Sequence, residues 1–301
     1  MIAMNDPIVW QYAVPAALLV LSPFIGGLLV GVDRKLTARL QNRAGPPVVQ
    51  PFYDVLKLFG KEDKIVNKTY LVFAVAYLLT VVLSTALLLF HYDLLVITFI
   101  FGLSFIFLVL AGYSVRSQFS YVGSNRELLQ MLTYEPILLL VVFLIRLATG
   151  SFQMDSLYSF VEPAKTQPLL YLLPLALLAL LVILPIQFRK SPFDIAEAHQ
   201  EIAQGPIVEY TGKFLGLVYL AHFFEVFFVL WFIGLFFVQN PVVRLGLMVV
   251  VYLLAIVIDN ATARLRVDQM IRQVYIVGLV LIIVNLVYIL ATSNWIPGVS
   301  I

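Results

Sequence analysis

Apolar runs of 18 residues or more recur along this chain, and each is long enough to cross a bilayer core of about 30 Å as a helix. Eight spans can be read, at 8–32, 68–90, 94–115, 127–149, 168–188, 212–237, 241–260 and 272–292. The composition agrees. Of 301 residues 62% are hydrophobic and 12% charged, against about 45–50% and 25% in soluble domains. The expected fold class is therefore all-α: a polytopic membrane protein of about eight transmembrane helices, forming one integral membrane domain over 1–301. The second and third spans are joined only by His91-Tyr92-Asp93, which predicts a tight helical hairpin. The fourth and fifth are separated by a polar loop containing Asp155, Glu162 and Pro163. No cleavable signal peptide is expected, because the first apolar run lacks a basic n-region and a small-residue cleavage site. No internal repeat can be read, which argues against an inverted-repeat transporter.

The sequence contains no cysteine. The chain can form no disulfide and cannot supply the thiolates of an iron–sulfur cluster or a nickel–iron centre. Its three histidines, His91, His199 and His222, show no ligand spacing such as HExxH. No cofactor, metal site or catalytic residue is therefore expected in this chain. If it serves a redox reaction, the electrons travel in another subunit.

Basic residues set the expected orientation. With the 33–67 loop placed on the cytoplasmic side, the loops at 116–126, 189–213 and 261–272 fall on the same side. That side then holds 16 of the 19 Lys and Arg, all but Arg146, Lys165 and Arg244, as the positive-inside rule requires. Both termini are then expected outside, in a multi-pass protein of the cell membrane. The polar, motif-rich sequence gathers on one face, which suggests that something docks there.

Two of these loops carry local patterns. In the first, Gly45-Pro46-Pro47 breaks the chain. Phe52, Val55, Leu56 and Phe59 then recur at helical spacing, with Gly60 placed as a stop. This predicts a short helix on the membrane surface, with Asp54 and Lys57 facing water or a partner. The alternative is a basic loop that only sets topology. In the stretch SPFDIAEAHQEIAQGPIVEY, at 191–210, a serine cap, a proline in the first turn and an aspartate after it predict a helix over 192–204, ended by Gly205-Pro206. Glu197 and Glu201 would then share a face, with Asp194 close by. Such a set reads either as a solvated acidic helix or as coupled proton acceptors.

Acids inside the spans weigh more, because an ionisable group at bilayer depth is costly unless paired or hydrated. Glu135 lies within the fourth span, Glu225 deep in the sixth with His222 three residues before it, and Asp259 near the end of the seventh. The structural alternatives are an Asp259 resting beside Arg264 and a hydrogen bond between His222 and Glu225.

Three stretches together, NRAGPPVVQPFYDVLKLFGKE, SPFDIAEAHQEIAQGPIVEYTG and DNATARLRVDQ, resemble a known family. It is the membrane subunit at the foot of the hydrophilic arm in respiratory complex I and in the energy-converting nickel–iron hydrogenases of the formate hydrogenlyase and membrane-bound hydrogenase type. The likeness spans essentially the whole chain, and QFRKSPFD and DNATARLR lean to the hydrogenase branch. The resemblance carries over Glu135, Glu197, Glu201 and Glu209 as a proton- or ion-coupling set, to which the ionisable residues within the spans, His222, Glu225 and Asp259, are added. It also implies arm-docking or cavity residues: Arg34, Arg39, Arg43, Asp54, Glu62, Asp194, Arg264, Arg266 and Asp268. The implied partners are hydrogenase-like large and small subunits carrying the nickel–iron centre and iron–sulfur clusters, antiporter-like membrane subunits and the lipid bilayer, with no nucleic acid. Two positions depart from the complex I pattern: Gln187 stands where a glutamate is usual, and His222 stands one turn before Glu225 in the sixth span. The alternatives to a hydrogenase-type coupling subunit are the quinone-pocket subunit of complex I, a subunit of a related sulfur-reducing complex, and a purely structural anchor.

Overall fold

The computed structural model describes residues 7–62, 67–160, 169–197 and 199–292. Glu162, Pro163 and Lys165 of the expected outer loop, and both chain termini, lie outside the described residues. Twelve α-helices are present among them: α1 (Pro7–Leu40), α2 (Gln50–Phe59), α3 (Lys68–Leu89), α4 (Leu94–Tyr113), α5 (Gln118–Thr149), α6 (Met154–Phe160), α7 (Leu169–Leu172), α8 (Pro174–Gln187), α9 (His199–Ile202), α10 (Gly212–Ile233), α11 (Pro241–Ala261) and α12 (Val267–Thr292). Seven of these, α1, α3, α4, α5, α10, α11 and α12, are long and apolar enough to cross a membrane, and the protein is a multi-pass all-α membrane protein.

Several helices run past the boundaries that hydropathy suggests. α1 continues to Leu40 and carries Arg34, Lys35 and Arg39 beyond its apolar part, so the loop expected at 33–67 begins as helix. α5 begins at Gln118, which turns most of the expected 116–126 loop into its first turns. α12 begins at Val267, with Asp268 in its first turn. An apolar run marks where lipid ends, whereas backbone hydrogen bonding carries a helix on into water until a cap stops it. Ser117 provides such a start for α5, its side chain accepting from Ser120 N–H.

The hairpin between α3 and α4 forms as expected. His91 takes a left-handed conformation at φ 60°, and the Asp93 carboxylate caps α4 by accepting from Leu95 and Val96 N–H. The surface helix α2 also forms, but its buried residues are Pro51, Val55 and Leu58, while Leu56 and Phe59 are exposed. Its Phe52 ring packs between Phe24 of α1 and Phe223 of α10.

α10 is the central element: 78% of its apolar window is buried inside the protein, against 17% for α1 and 28% for α12. It packs on α1, α2 and α3, and α5 packs on α4, α8 and α12. Lipid tails are as apolar as leucine, so close fit rather than flight from water holds such helices together. Gly26 shows the fit, since a Cβ there would stand 1.9 Å from the Phe223 carbonyl oxygen of α10.

The fifth expected span, 168–188, is broken. Leu173 separates α7 from α8, and α8 alone has 14 residues, a rise of about 21 Å. Pro174 opens α8 and supplies no N–H. Backbone groups exposed by such a break cannot turn to water at this depth. A fully buried side chain on α12, Asn285, takes them up: its Oδ1 accepts from Leu175 N–H at 2.9 Å and Ala176 N–H at 3.0 Å, and its Nδ2 donates to the Leu172 carbonyl at 3.0 Å. Asn285→Leu is expected to lower stability by roughly 2–3 kcal/mol, the cost of leaving these groups unmade. Hydrogen exchange checks it locally, with the Leu175 and Ala176 amides losing protection while those of α3 keep theirs.

Candidate functional site

The segment 189–197 that follows α8 departs from the expected helix over 192–204. Its backbone groups are bonded sideways to three other elements. Ser191 N–H donates to Asp259 at 2.9 Å, Leu265 N–H donates to the Pro192 carbonyl, Gln130 Nε2 donates to the Phe193 carbonyl, and Arg126 donates to the Ile195 carbonyl. Those tertiary bonds outweigh the local cap signals, and helix is confined to α9, His199–Ile202. Glu197 and Glu201 therefore do not share a helix face.

What the segment builds instead is a pair of charge clusters. Arg189 stands with its side chain 9% exposed, bonded through Nη1 to Glu197 at 2.5 Å and through Nη2 to the Tyr77 hydroxyl at 2.9 Å and Glu225 at 3.5 Å. The Tyr77 hydroxyl donates to Glu225 Oε1 at 2.5 Å, and His222 Nδ1 lies 3.3 Å from Glu225 Oε2. α3, α10 and the 189–197 segment are thus tied through one guanidinium. Lys190 turns the other way, its Nζ 2.6 Å from Asp33 of α1 and 3.3 Å from Asp259 of α11. Consecutive residues diverge so sharply because Arg189 is left-handed, at φ 53°, a strained conformation for a long side chain that the surrounding bonds hold in place.

A cavity of about 260 Å³ separates the two clusters, lined by Asp33, Arg189, Lys190, Glu197, His222 and Asp259 among others. A second, of about 300 Å³, shares Glu197 and His222 with it and reaches Arg34 and Asp54 beside α2. There Arg34 bonds Asp54 at 2.6 Å and Gln50 bonds it at 2.9 Å. Burial would raise the Asp54 carboxyl, but those two bonds hold it below the ordinary value.

The remaining expected residues divide between wall and surface. Glu201 is exposed and pairs with Arg126 at 2.8 Å; the Arg126 hydrogen bond holds its carboxyl below the usual range. Asp194 pairs with Arg264 at 2.7 Å, so Asp259 rests on Lys190 rather than on Arg264. Arg39, Arg43 and Glu62 are exposed, and Arg266 and Asp268 pair with each other at 3.2 Å on the surface. Glu209 is half-buried near Tyr70 of α3 and does not line the Arg189 cavity. Glu135 lies further along α5 against α4, where a Cβ on Gly102 would come within 2.5 Å of its Oε1, and its Oε2 has no partner among the described residues.

Sequence reading missed Tyr77, Glu127, Asp33 and both cations, Arg189 and Lys190. Tyr77 carries no charge, Glu127 opens the fourth span as read, where an acid at the water edge is ordinary, and the cations read as topology signals. Replacing Lys190 by Met should leave Asp33 and Asp259 facing each other unpaired. The expected loss is roughly 2–3 kcal/mol, below that of a fully buried pair because both acids touch solvent. Thermal unfolding in detergent measures it, and adding Asp259→Asn should recover part of the loss.

Residues 13–290 match the family described as NADH dehydrogenase. Hydrogenase-4 component C of Escherichia coli (strain K12) is 32% identical over 222 residues, covering 70% of this chain and 69% of that one. Formate hydrogenlyase subunit 4 of the same organism is 29% identical over 274 residues, covering 81% and 88%. Among solved structures, a chain of the membrane-bound sulfane sulfur reductase, an archaeal respiratory membrane complex, superposes with a TM-score of 0.82 at 25% identity, over 91% of this chain and 99% of that one. The broken span, the surface helix and the clustered charges thus belong to a member of the NADH dehydrogenase family of membrane subunits.

Proposed function

We propose that this chain is the non-catalytic membrane subunit of a hydrogenase-like, complex I-related ion pump. It anchors a peripheral arm and couples electron transfer in that arm to ion movement through buried carboxylates. The observation that carries this reading is the Arg189 cluster: Glu197, Tyr77 and Glu225 gather on one buried cation, with His222 against Glu225, beside cavities that reach the surface helix. A charge change at the docked arm would act on that cation directly, and Glu225 is already inside a spanning helix. The nickel–iron centre and iron–sulfur clusters would reside in the large and small subunits docked on the loop face, with antiporter-like subunits beside this one in the bilayer. On this reading the loop face is cytoplasmic and both termini lie across the membrane from it.

A second reading favours quinone as the electron acceptor. The cavity of about 300 Å³ beside Arg34, Asp54 and His222 lies where a ring could enter from the membrane surface. Quinone extractable from the purified complex selects that reading, and hydrogen evolution selects the first.

Two predictions follow from the geometry. In vesicles containing the reconstituted complex, Glu135→Gln should leave redox turnover largely intact while ion uptake per electron falls about tenfold, as for a barrier raised by roughly 1.4 kcal/mol. Glu201→Gln should change little, because Glu201 is exposed and bonded outward to Arg126. Wild-type ion-to-electron ratios in Glu135→Gln and also in Glu225→Gln would make the carboxylates structural. The second prediction uses the absence of cysteine: single cysteines placed at Arg39, Glu62 and Arg266 should cross-link to the subunits holding the metal centres. Cross-links confined to lipid-embedded neighbours would rule out this face as the docking surface.

A further inference from the structure

Two buried atoms, a donor on Arg189 and an acceptor on Glu127, lack hydrogen-bond partners among the described residues. Arg189 commits Nη1 to Glu197 and Nη2 to Tyr77 and Glu225, while its Nε, out of reach of solvent, donates to nothing among the described residues. Glu127 on α5 is 4% exposed, and its Oε2 accepts from nothing among them. The charges that act on Glu127 are those of Arg189, Glu197 and Glu225. Its chain neighbour Arg126 turns away, to Glu201 and the Ile195 carbonyl. A buried donor and a buried acceptor left unmade, on groups close enough for their charges to act on each other, describe a bond available to a second arrangement.

We propose that Glu127 is the alternate partner of Arg189, a proton-carrying acid that exchanges with Glu225 for the guanidinium. In the arrangement seen, Arg189 holds Glu197 and Glu225, and Glu127 carries the proton. In the other, the guanidinium turns so that its Nε–H meets the Glu127 carboxylate, and the proton released from Glu127 resides on Glu225. The exchange conserves charge, since both arrangements contain one cation, two carboxylates and one neutral acid. Tyr77 and His222, both bonded to Glu225, are the groups through which the proton reaches it. Tyr134 on α5 also has a buried hydroxyl without a partner among the described residues. Movement of one buried cation by the length of its own fork thus becomes movement of one proton between α5 and α10.

The inference deepens the coupling reading and rests on it, so its test keeps the two apart. The intact complex is purified with wild-type sequence, with Glu127→Gln and with Arg189→Lys. The infrared band of buried protonated carboxylic acid and the ions moved per electron are measured in each. Glu127→Gln should lose a protonated-carboxyl contribution from the resting complex and lower ions per electron about tenfold. Arg189→Lys keeps the charge but has no Nε–H fork. It should retain that contribution and still lose ion uptake, which also covers a Gln variant that fails to assemble. An unchanged band in Glu127→Gln overturns the proposal, as does wild-type pumping in either variant. A lost band in Glu127→Gln and lowered pumping in Glu127→Gln and Glu225→Gln, with normal pumping in Glu135→Gln, would remove Glu135 from the coupling reading and still support Glu127 as the proton carrier.

Discussion

A guanidinium buried at the end of a helix bundle is the constraint around which this structure is arranged. Removing such a cation from water costs several kcal/mol unless its donors are met. The side chains that meet those of Arg189 come from three places in sequence: Tyr77 on α3, Glu197 on the segment after α8, and Glu225 on α10. Their convergence requires the segment to stay irregular, because a regular helix from Pro192 would use its own carbonyls. Those carbonyls are instead given to Gln130, Arg126 and Leu265 N–H. Irregular backbone that is shut off from water is tolerated only where other groups take up its bonds, and here α5, α11 and the Leu265 amide do so.

Arg189 and Lys190 divide the bundle between them. Arg189 binds the side of α3 and α10, Lys190 the side of α1 and α11, and the cavity lies between. One strained residue therefore sets the spacing of two groups of helices. Paired ions in low dielectric are poor sources of net stability, and a well-packed apolar replacement often does as well. Two adjacent clusters kept at that expense fit a switch better than a brace.

Much of the fold could be read in the sequence, because hydropathy reports directly on lipid. Seven long helices, the His91 hairpin and the surface helix all follow from apolar runs and their punctuation. The 192–204 helix did not form, although its caps were sound in isolation, because its competitors were side chains more than 60 residues away in sequence, such as Gln130 and Arg126. Asn285 was invisible for a related reason: a lone polar residue in an apolar run says nothing of which broken helix it mends. Glu225, His222 and Asp259 stood out as charges in apolar surroundings. Their partners Arg189, Lys190 and Asp33 did not, since they lie where loops and helix ends make charge ordinary. Glu127 stood as the first residue of the span that hydropathy marks, an unremarkable place for an acid, whereas α5 begins nine residues earlier and carries it inside the helix.

Glu135 poses the last structural question, because it stands apart from the cluster. From Glu127 it lies eight residues along α5, a rise of about 12 Å, too long for one proton hop. Between them the Gln130 amide is bonded to the Phe193 carbonyl and the Thr133 hydroxyl to the Leu129 carbonyl. Tyr134 keeps an unbonded hydroxyl among the described residues. A proton wire to Glu135 would therefore need Tyr134 or water. A wire is not required for influence, however. Unit charges about 12 Å apart at an effective dielectric near 20 interact by roughly 1.4 kcal/mol, a tenfold change in an equilibrium. Moving that charge from α5 to α10 changes the interaction by the difference between two such terms rather than by the whole of one, and biases the proton occupancy of Glu135 without a proton travelling between them. The helix that carries both acids fixes that distance, so the strength of the influence is set by the fold itself.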